Sequence, residues 1–366
     1  MGAVLSGRRL VSIIVVGLST MHTLHAGRPA APWYADKANL MVYIDANGQE
    51  QPVRTPDDWA KRRAHILANM QVVMGPFPDD SKKVPLDIKV LEEVKLPKST
   101  RKKITFATEK GDRAWAYLFV PHGIEGKAPA MLCVHPTHRK GKDVAAGLTD
   151  RENRSHALEL AQRGYVTIAP DYLNAGDYKC DWQALGYTSA TMKGIWNHMR
   201  AVDVLASLPE VDPARIGCIG HSLGGHNTLF VGVFDPRIKA MVSSCGFNSF
   251  HKYMKGNLKG WSHNGYMPLI ASRYGCDPAK MPFDFTEIVG ALAPRPLFVN
   301  APLGDSNFEV SGVKDCIRAA TPVYKLLGGE GKLVAKHPDS GHDFPPAVRF
   351  EAYAFLDKVL GHTPRQ

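Results

Sequence analysis

The sequence predicts an α/β fold: a mostly parallel, doubly wound sheet with helices on both faces and an insertion over its carboxyl edge. Three observations predict it. A continuous apolar run at 130–134 and short, mostly apolar runs at 166–169, 238–242 and 297–300 have the composition of strands buried on both faces. Segments with apolar residues at helical spacing lie between them, as with Met192, Ile195, Met199, Val202 and Leu205. The apolar run ending at Ile219 passes through Gly220-His221-Ser222-Leu223-Gly224-Gly225 straight into a further apolar helix through Leu229, Phe230 and Val231. Strands and helices in alternation make parallel neighbours joined by crossovers.

In chain order, Thr55-Pro56-Asp57-Asp58 starts a helix, with a capping hydroxyl, proline at the first position and acids in the first turn. Trp59, Ile66, Met70 and Val73 share its inner face, and Gly75-Pro76 ends it. Residues 27–54 read as irregular. Alternation predicts strands at 91–96, 103–107 and 114–120, with Lys110-Gly111-Asp112 as a hairpin turn. A helix over 154–164 precedes the strand at 166–169. The last elements are strands at 297–300 and 333–336 and a closing helix carrying Val348, Ala352, Phe355 and Val359.

The turn at Ser222 carries the chemistry. A serine centred in G-x-S-x-G between a strand and a helix is pinched so that its hydroxyl stands clear of the sheet, and Gly220 and Gly224 let strand and helix pass closely. Such a serine is a nucleophile and needs a base and an orienting acid. Asp305 follows the strand at 297–300, and His342 follows the strand at 333–336. Both sit at carboxyl ends of strands, where a doubly wound sheet places its site. Glu309 and Asp315 are alternative acids further past the strand end. His337 is an alternative base, closer to its strand and without a preceding glycine.

The oxyanion of an acyl-transfer intermediate needs two N–H donors. Leu223, directly after the nucleophile, supplies one. Pro136 has no N–H, so Thr137 is the first residue past the strand at 130–134 able to supply the other. His135, His221 and His226 are expected to line the cleft; the spacing of the last two is not that of a metal pair on a helix. The stretch from about 246 to 284 is too irregular for a crossover helix and is expected to overhang Ser222. Its Trp261 and Tyr266 are candidate substrate-binding faces, and Lys252, Lys255 and Lys259 would favour an anionic substrate.

Residues 1–26 read as a secretory signal: Arg8 and Arg9, an apolar run from Leu10 to Leu18, and a cut near Ala26. The run is too short to span a membrane. The expected organisation is therefore that leader, an N-terminal extension over 27–83 with one packed helix, and a catalytic domain over 84–366. Export would place the chain in the periplasm or outside the cell. Without the leader, 43 basic residues face 35 acidic ones. That moderate excess is spread along the chain, which argues against a nucleic-acid partner. No C-x-x-C or zinc spacing joins the six cysteines; one disulfide among Cys180, Cys245, Cys276 and Cys316 is possible in an exported chain.

Gly220-His221-Ser222-Leu223-Gly224-Gly225, Asp305 and Gly341-His342-Asp343-Phe344 resemble the α/β-hydrolases, and within them the dienelactone hydrolase and acetyl xylan esterase branch. The helix with Trp59 and Arg62-Arg63 is similar to the N-terminal helix of that esterase group and of glucuronoyl-esterase-like proteins. Dienelactone hydrolases proper use cysteine where this chain has Ser222, so that chemistry is not implied. Acetyl xylan esterases commonly show His-Gly-aromatic where this chain has His135-Pro136-Thr137. The resemblance implies a cofactor-independent serine esterase working through Ser222, His342 and Asp305 on a small-molecule or carbohydrate ester. Two rivals are a serine peptidase of prolyl-oligopeptidase type, for which the room before residue 120 is small, and a binding protein on the same fold.

Overall fold

The computed structural model describes Gly2 and residues 31–365; the expected leader and its cut near Ala26 lie outside the described residues. Residues 32–366 fold as one unit. The strands are β1 Val42–Ile44, β2 Glu50–Pro52, β3 Lys89–Lys95, β4 Ser99–Glu109, β5 Asp112–Pro121, β6 Ala128–Val134, β7 Val166–Pro170, β8 Val211–His221, β9 Ile238–Ser244, β10 Leu297–Asn300 and β11 Leu333–Lys336. Strands β3 to β11 form one sheet in the order β11-β10-β9-β8-β6-β7-β5-β4-β3. From β11 to β7 every pairing is parallel. β5, β4 and β3 extend the sheet antiparallel.

This follows from composition. Every residue of β6, β7 and β10 is buried, because helices cover both faces there. On one face lie helices Pro56–Met74, Ala190–Ser207 and Leu223–Phe234. The other carries His156–Gln162 and Pro346–Val359.

Two departures from expectation stand out. Residues 27–54 are not wholly irregular: β1 and β2 pair antiparallel, Val42 opposite Pro52. Helices Phe285–Ala291 and Val310–Leu326 were not foreseen, the second because Gly312 and Pro322 inside it read locally as breakers.

The helix Pro56–Met74 is joined firmly to the body. Thr55 and Asp58 form a capping box at its start. Arg62 Nη2 lies 2.6 Å from Glu287 Oε1, both side chains fully buried, and the guanidinium stacks over Tyr34. Arg63 donates to the carbonyls of Ala291 and Val233.

The insertion consists of short turns, Tyr253–Gly256, Leu258–Trp261, Leu269–Ser272 and Pro278–Lys280. Its larger aromatic side chains, Phe247, Phe250, Tyr253 and Trp261, turn inward and are buried. All six cysteines are free, so the disulfide considered from composition does not form in this structure.

Candidate active site

Ser222 caps the helix Leu223–Phe234 with φ 56° and ψ −119°, a left-handed backbone that a side chain rarely adopts. Two backbone bonds hold it there: its N–H donates to Ser244 O at 2.8 Å, and its carbonyl accepts from His226 at 2.9 Å. The flanking glycines are steric necessities. A Cβ on Gly220 would come within 2.3 Å of Gly224 C, and one on Gly224 within 2.2 Å of Val134 O.

Ser222 and His342 line one cleft of about 360 Å³, together with Pro136, Thr137, His138, Arg154 and His221. His342 Nδ1 lies 2.9 and 3.1 Å from the two oxygens of Asp305. With a carboxylate on Nδ1 the proton belongs on that nitrogen, which leaves Nε2 as an acceptor. Asp305 is buried, which works against its ionisation. The hydrogen bond and charge of His342, with N–H groups of Phe308 and Asn307, outweigh that and hold its pKa below the usual value. The alternative acids are engaged elsewhere: Glu309 with Ser311, and Asp315 with Lys252 and Arg318. His337 bonds to Ala301 O at 2.8 Å.

The loop bearing His342 is clamped by residues that no local pattern singles out. Arg154 Nη2 donates to His342 O, Asn153 Nδ2 to Asp343 Oδ2 at 2.9 Å, and Asn300 Nδ2 to Asp343 O at 2.9 Å. His221 Nδ1 meets Ser244 Oγ at 2.9 Å, and its ring lies 4.9 Å from that of His342. Burial, then the charges of Arg154 and His342, push its pKa well below the ordinary value, so it is a neutral wall of the cleft.

Donor atoms of His221, Cys245 and His342 come within 4.8 Å of one another. His342 Nδ1, His221 Nδ1 and the Cys245 thiol bond to Asp305, Ser244 and Asp343 O.

Leu223 opens its helix, so no helical carbonyl receives its N–H. Thr137 stands on the cleft wall at the end of β6.

Four expected cleft residues lie elsewhere. His135 is buried and structural, with Nδ1 to Pro136 O at 2.7 Å and Nε2 accepting from Tyr172 N at 2.8 Å. His138, three residues on, stands on the wall where His135 was expected. His226 is fully buried, stacked on Phe230 and Trp261, and burial takes its pKa down to about 3. Trp261 is 2% exposed and packs between His226, Tyr266, Phe285 and Phe308. Tyr266 is half-buried, its ring edge-on to those of His226 and Trp261. The insertion is amphipathic, and its aromatic side became core. Of its lysines, Lys252 pairs with Asp315 at 2.7 Å.

Across 90% of this chain and 99% of the other, the architecture matches a glucuronoyl esterase from Solibacter usitatus at TM-score 0.67 and 21% identity. The chain has the α/β-hydrolase fold. A second match, a Bacteroides fragilis protein described as a candidate acetyl xylan esterase, has TM-score 0.59 and 19% identity over 88% of this chain and 94% of that one. The family model for fungal glucuronyl esterase matches residues 182–328. By sequence the chain is similar to the Bacillus subtilis protein YtaP, described only as a hydrolase, with 26% identity over 82% of this chain and 99% of that one. It is also similar to 4-O-methyl-glucuronoyl methylesterase 1 of Wolfiporia cocos, with 25% identity over 47% of this chain, and spans about half the length of that relative, 46%. The expected resemblance to the acetyl xylan esterase and glucuronoyl-esterase-like branch therefore holds.

Proposed function

We propose that this chain is an exported serine carboxylesterase that cleaves acyl or uronate esters of carbohydrates. The observation that carries the reading is the 2.9 Å contact of His342 Nδ1 with Asp305 beside a cleft that Ser222 also lines. Glucuronoyl and acetyl xylan esterases among the similar proteins support the substrate class.

In this reading His342 Nε2 takes the Ser222 hydroxyl proton as Oγ attacks the ester carbonyl. The N–H groups of Leu223 and Thr137 receive the oxyanion. His342 then gives the proton to the departing alcohol, and water repeats the sequence to release the acid and restore Ser222. Asp305 keeps Nδ1 protonated and stabilises the imidazolium between steps.

The test is hydrolysis of a panel of acetylated, feruloylated and methyl-uronate sugar esters, with and without a serine-directed phosphonate. Turnover of a sugar ester abolished by labelling at Ser222 is expected. Ser222→Ala should lose on the order of 10⁶ in kcat. A variant that keeps a hundredth of the activity, or a chain that cleaves peptides but no ester, overturns the reading.

A further inference from the structure

A second hollow adjoins the catalytic cleft. It has a volume of about 500 Å³ and is bounded by residues 138–140 on one side and 147–150 on the other. His138 and Asp150 belong to the walls of both, so the two are neighbours. The first side is the run His138-Arg139-Lys140-Gly141-Lys142, which begins directly after Thr137.

The basic residues of this run have different fates. Lys142 is wholly buried, with Nζ 2.9 Å from Asp171 Oδ2 and a second partner in Asp177. Its backbone N–H donates to Asp171 Oδ1 at 2.7 Å, and the carbonyl of Arg139 accepts from Gly176 at 3.0 Å. The loop is thus pinned at two points to the segment that follows β7. Arg139 and Lys140 are exposed, and among the described residues neither has an ion-pair partner. They outnumber Asp150, the one acid on the wall of the hollow. The backbone that carries these two cations is held in place, so binding there need not order the loop itself.

We propose that this hollow is an anion subsite that binds a free carboxylate on the sugar next to the esterified one. The substrate is then an acidic glycan with only part of its carboxyl groups esterified. This rests on the carbohydrate-ester reading above, and it deepens it. The esterified group carries no charge, so the cations of the hollow have nothing to bind on it; a neighbouring free uronate supplies the charge. Guanidinium matches carboxylate in two parallel hydrogen bonds, and the lysine adds a point charge.

The experiment is calorimetric titration of the full chain with tri-galacturonic acid and with neutral xylotriose, at low salt and at about 0.5 M NaCl. The same titrations use the double variant Arg139→Gln, Lys140→Gln. The expected result is tighter binding of the acidic trimer than of the neutral one. The double variant weakens the acidic trimer about tenfold, the combined effect of two surface charge pairs. High salt should abolish the same difference, while xylotriose binding follows neither change.

Equal affinity of wild type and double variant for tri-galacturonic acid overturns the subsite. So does acidic binding no tighter than neutral binding. A sulfated trisaccharide binding tenfold more tightly than the carboxylated one would overturn the carboxylate assignment. Because titration needs no turnover, a chain that binds the acidic trimer yet cleaves no sugar ester would refute the esterase reading and leave the subsite standing.

Discussion

Arg154 Nη1 lies 2.6 Å from Asp343 Oδ1, while the other guanidinium nitrogen donates to the carbonyl of His342 at 3.2 Å. One side chain therefore grips the base-bearing loop by its carboxylate and its backbone, and also stands on the cleft wall. Burial opposes ionisation of Asp343, but Arg154 and the N–H of Phe344 hold its pKa below the ordinary carboxylate value. A shift of the imidazole by about 1 Å can cost on the order of 10²-fold in rate. Arg154→Ala should therefore lower kcat on p-nitrophenyl acetate by roughly 10- to 100-fold with a smaller change in KM, and Arg154→Lys should recover part of it. Steady-state kinetics on variants with matched melting temperatures would check this. An unchanged kcat would mean that Asn153 and Asn300 hold the loop unaided.

Asp305 and Glu309 are separated by one turn of chain, yet only Asp305 reaches His342. Asp305→Asn should lose on the order of 10⁴ in kcat, because an amide cannot keep the imidazole in the required tautomer. Glu309→Gln and Asp315→Asn should stay within a few-fold of wild type. A larger loss in Glu309→Gln than in Asp305→Asn would assign the acid to the wrong residue.

Trp261 belongs to the core, so its truncation should act through stability. Trp261→Ala leaves a cavity among His226, Tyr266, Phe285 and Phe308 and should cost about 3–5 kcal/mol. Urea unfolding would measure that loss. Activity per folded molecule should fall to the same extent on a sugar ester and on p-nitrophenyl acetate. A selective rise in KM for the sugar ester would return Trp261 to the substrate face.

What could be read from sequence follows how local the cause is. The strands β6 to β10 were legible because burial leaves short, mostly apolar runs in them. The meeting of Asp305 with His342 was legible because both follow strand ends on one edge of a parallel sheet. Side-chain direction in the irregular insertion was not, since nothing periodic distinguishes an aromatic facing core from one facing a cleft. His135 and His138 stand three residues apart in one loop, and only the tertiary bond from Tyr172 N decides that the first is structural. Arg154 had no signal at all: its partner lies 189 positions away.

Asp284 connects the insertion to the body in a way that makes stability depend on pH. It caps helix Phe285–Ala291, accepting from Phe285 N at 2.5 Å and Phe250 N at 2.9 Å. Burial, reinforced by the neighbouring charge of Glu287, raises its pKa to about 7 against the lowering effect of those two N–H bonds. An unfolded aspartate titrates near about 3.9. Between those values the folded chain binds the proton and the unfolded chain does not, so stability from this group declines as pH rises from about 4 to about 7. Above that window the cost is constant. Asparagine caps a helix as well as aspartate and does not titrate. The stability of Asp284→Asn relative to wild type, from urea midpoints, should therefore increase steadily from about pH 4 to about pH 7 and then level off. A difference that stays flat across the window would mean that Asp284 is ionised throughout and that its two backbone bonds outweigh its burial.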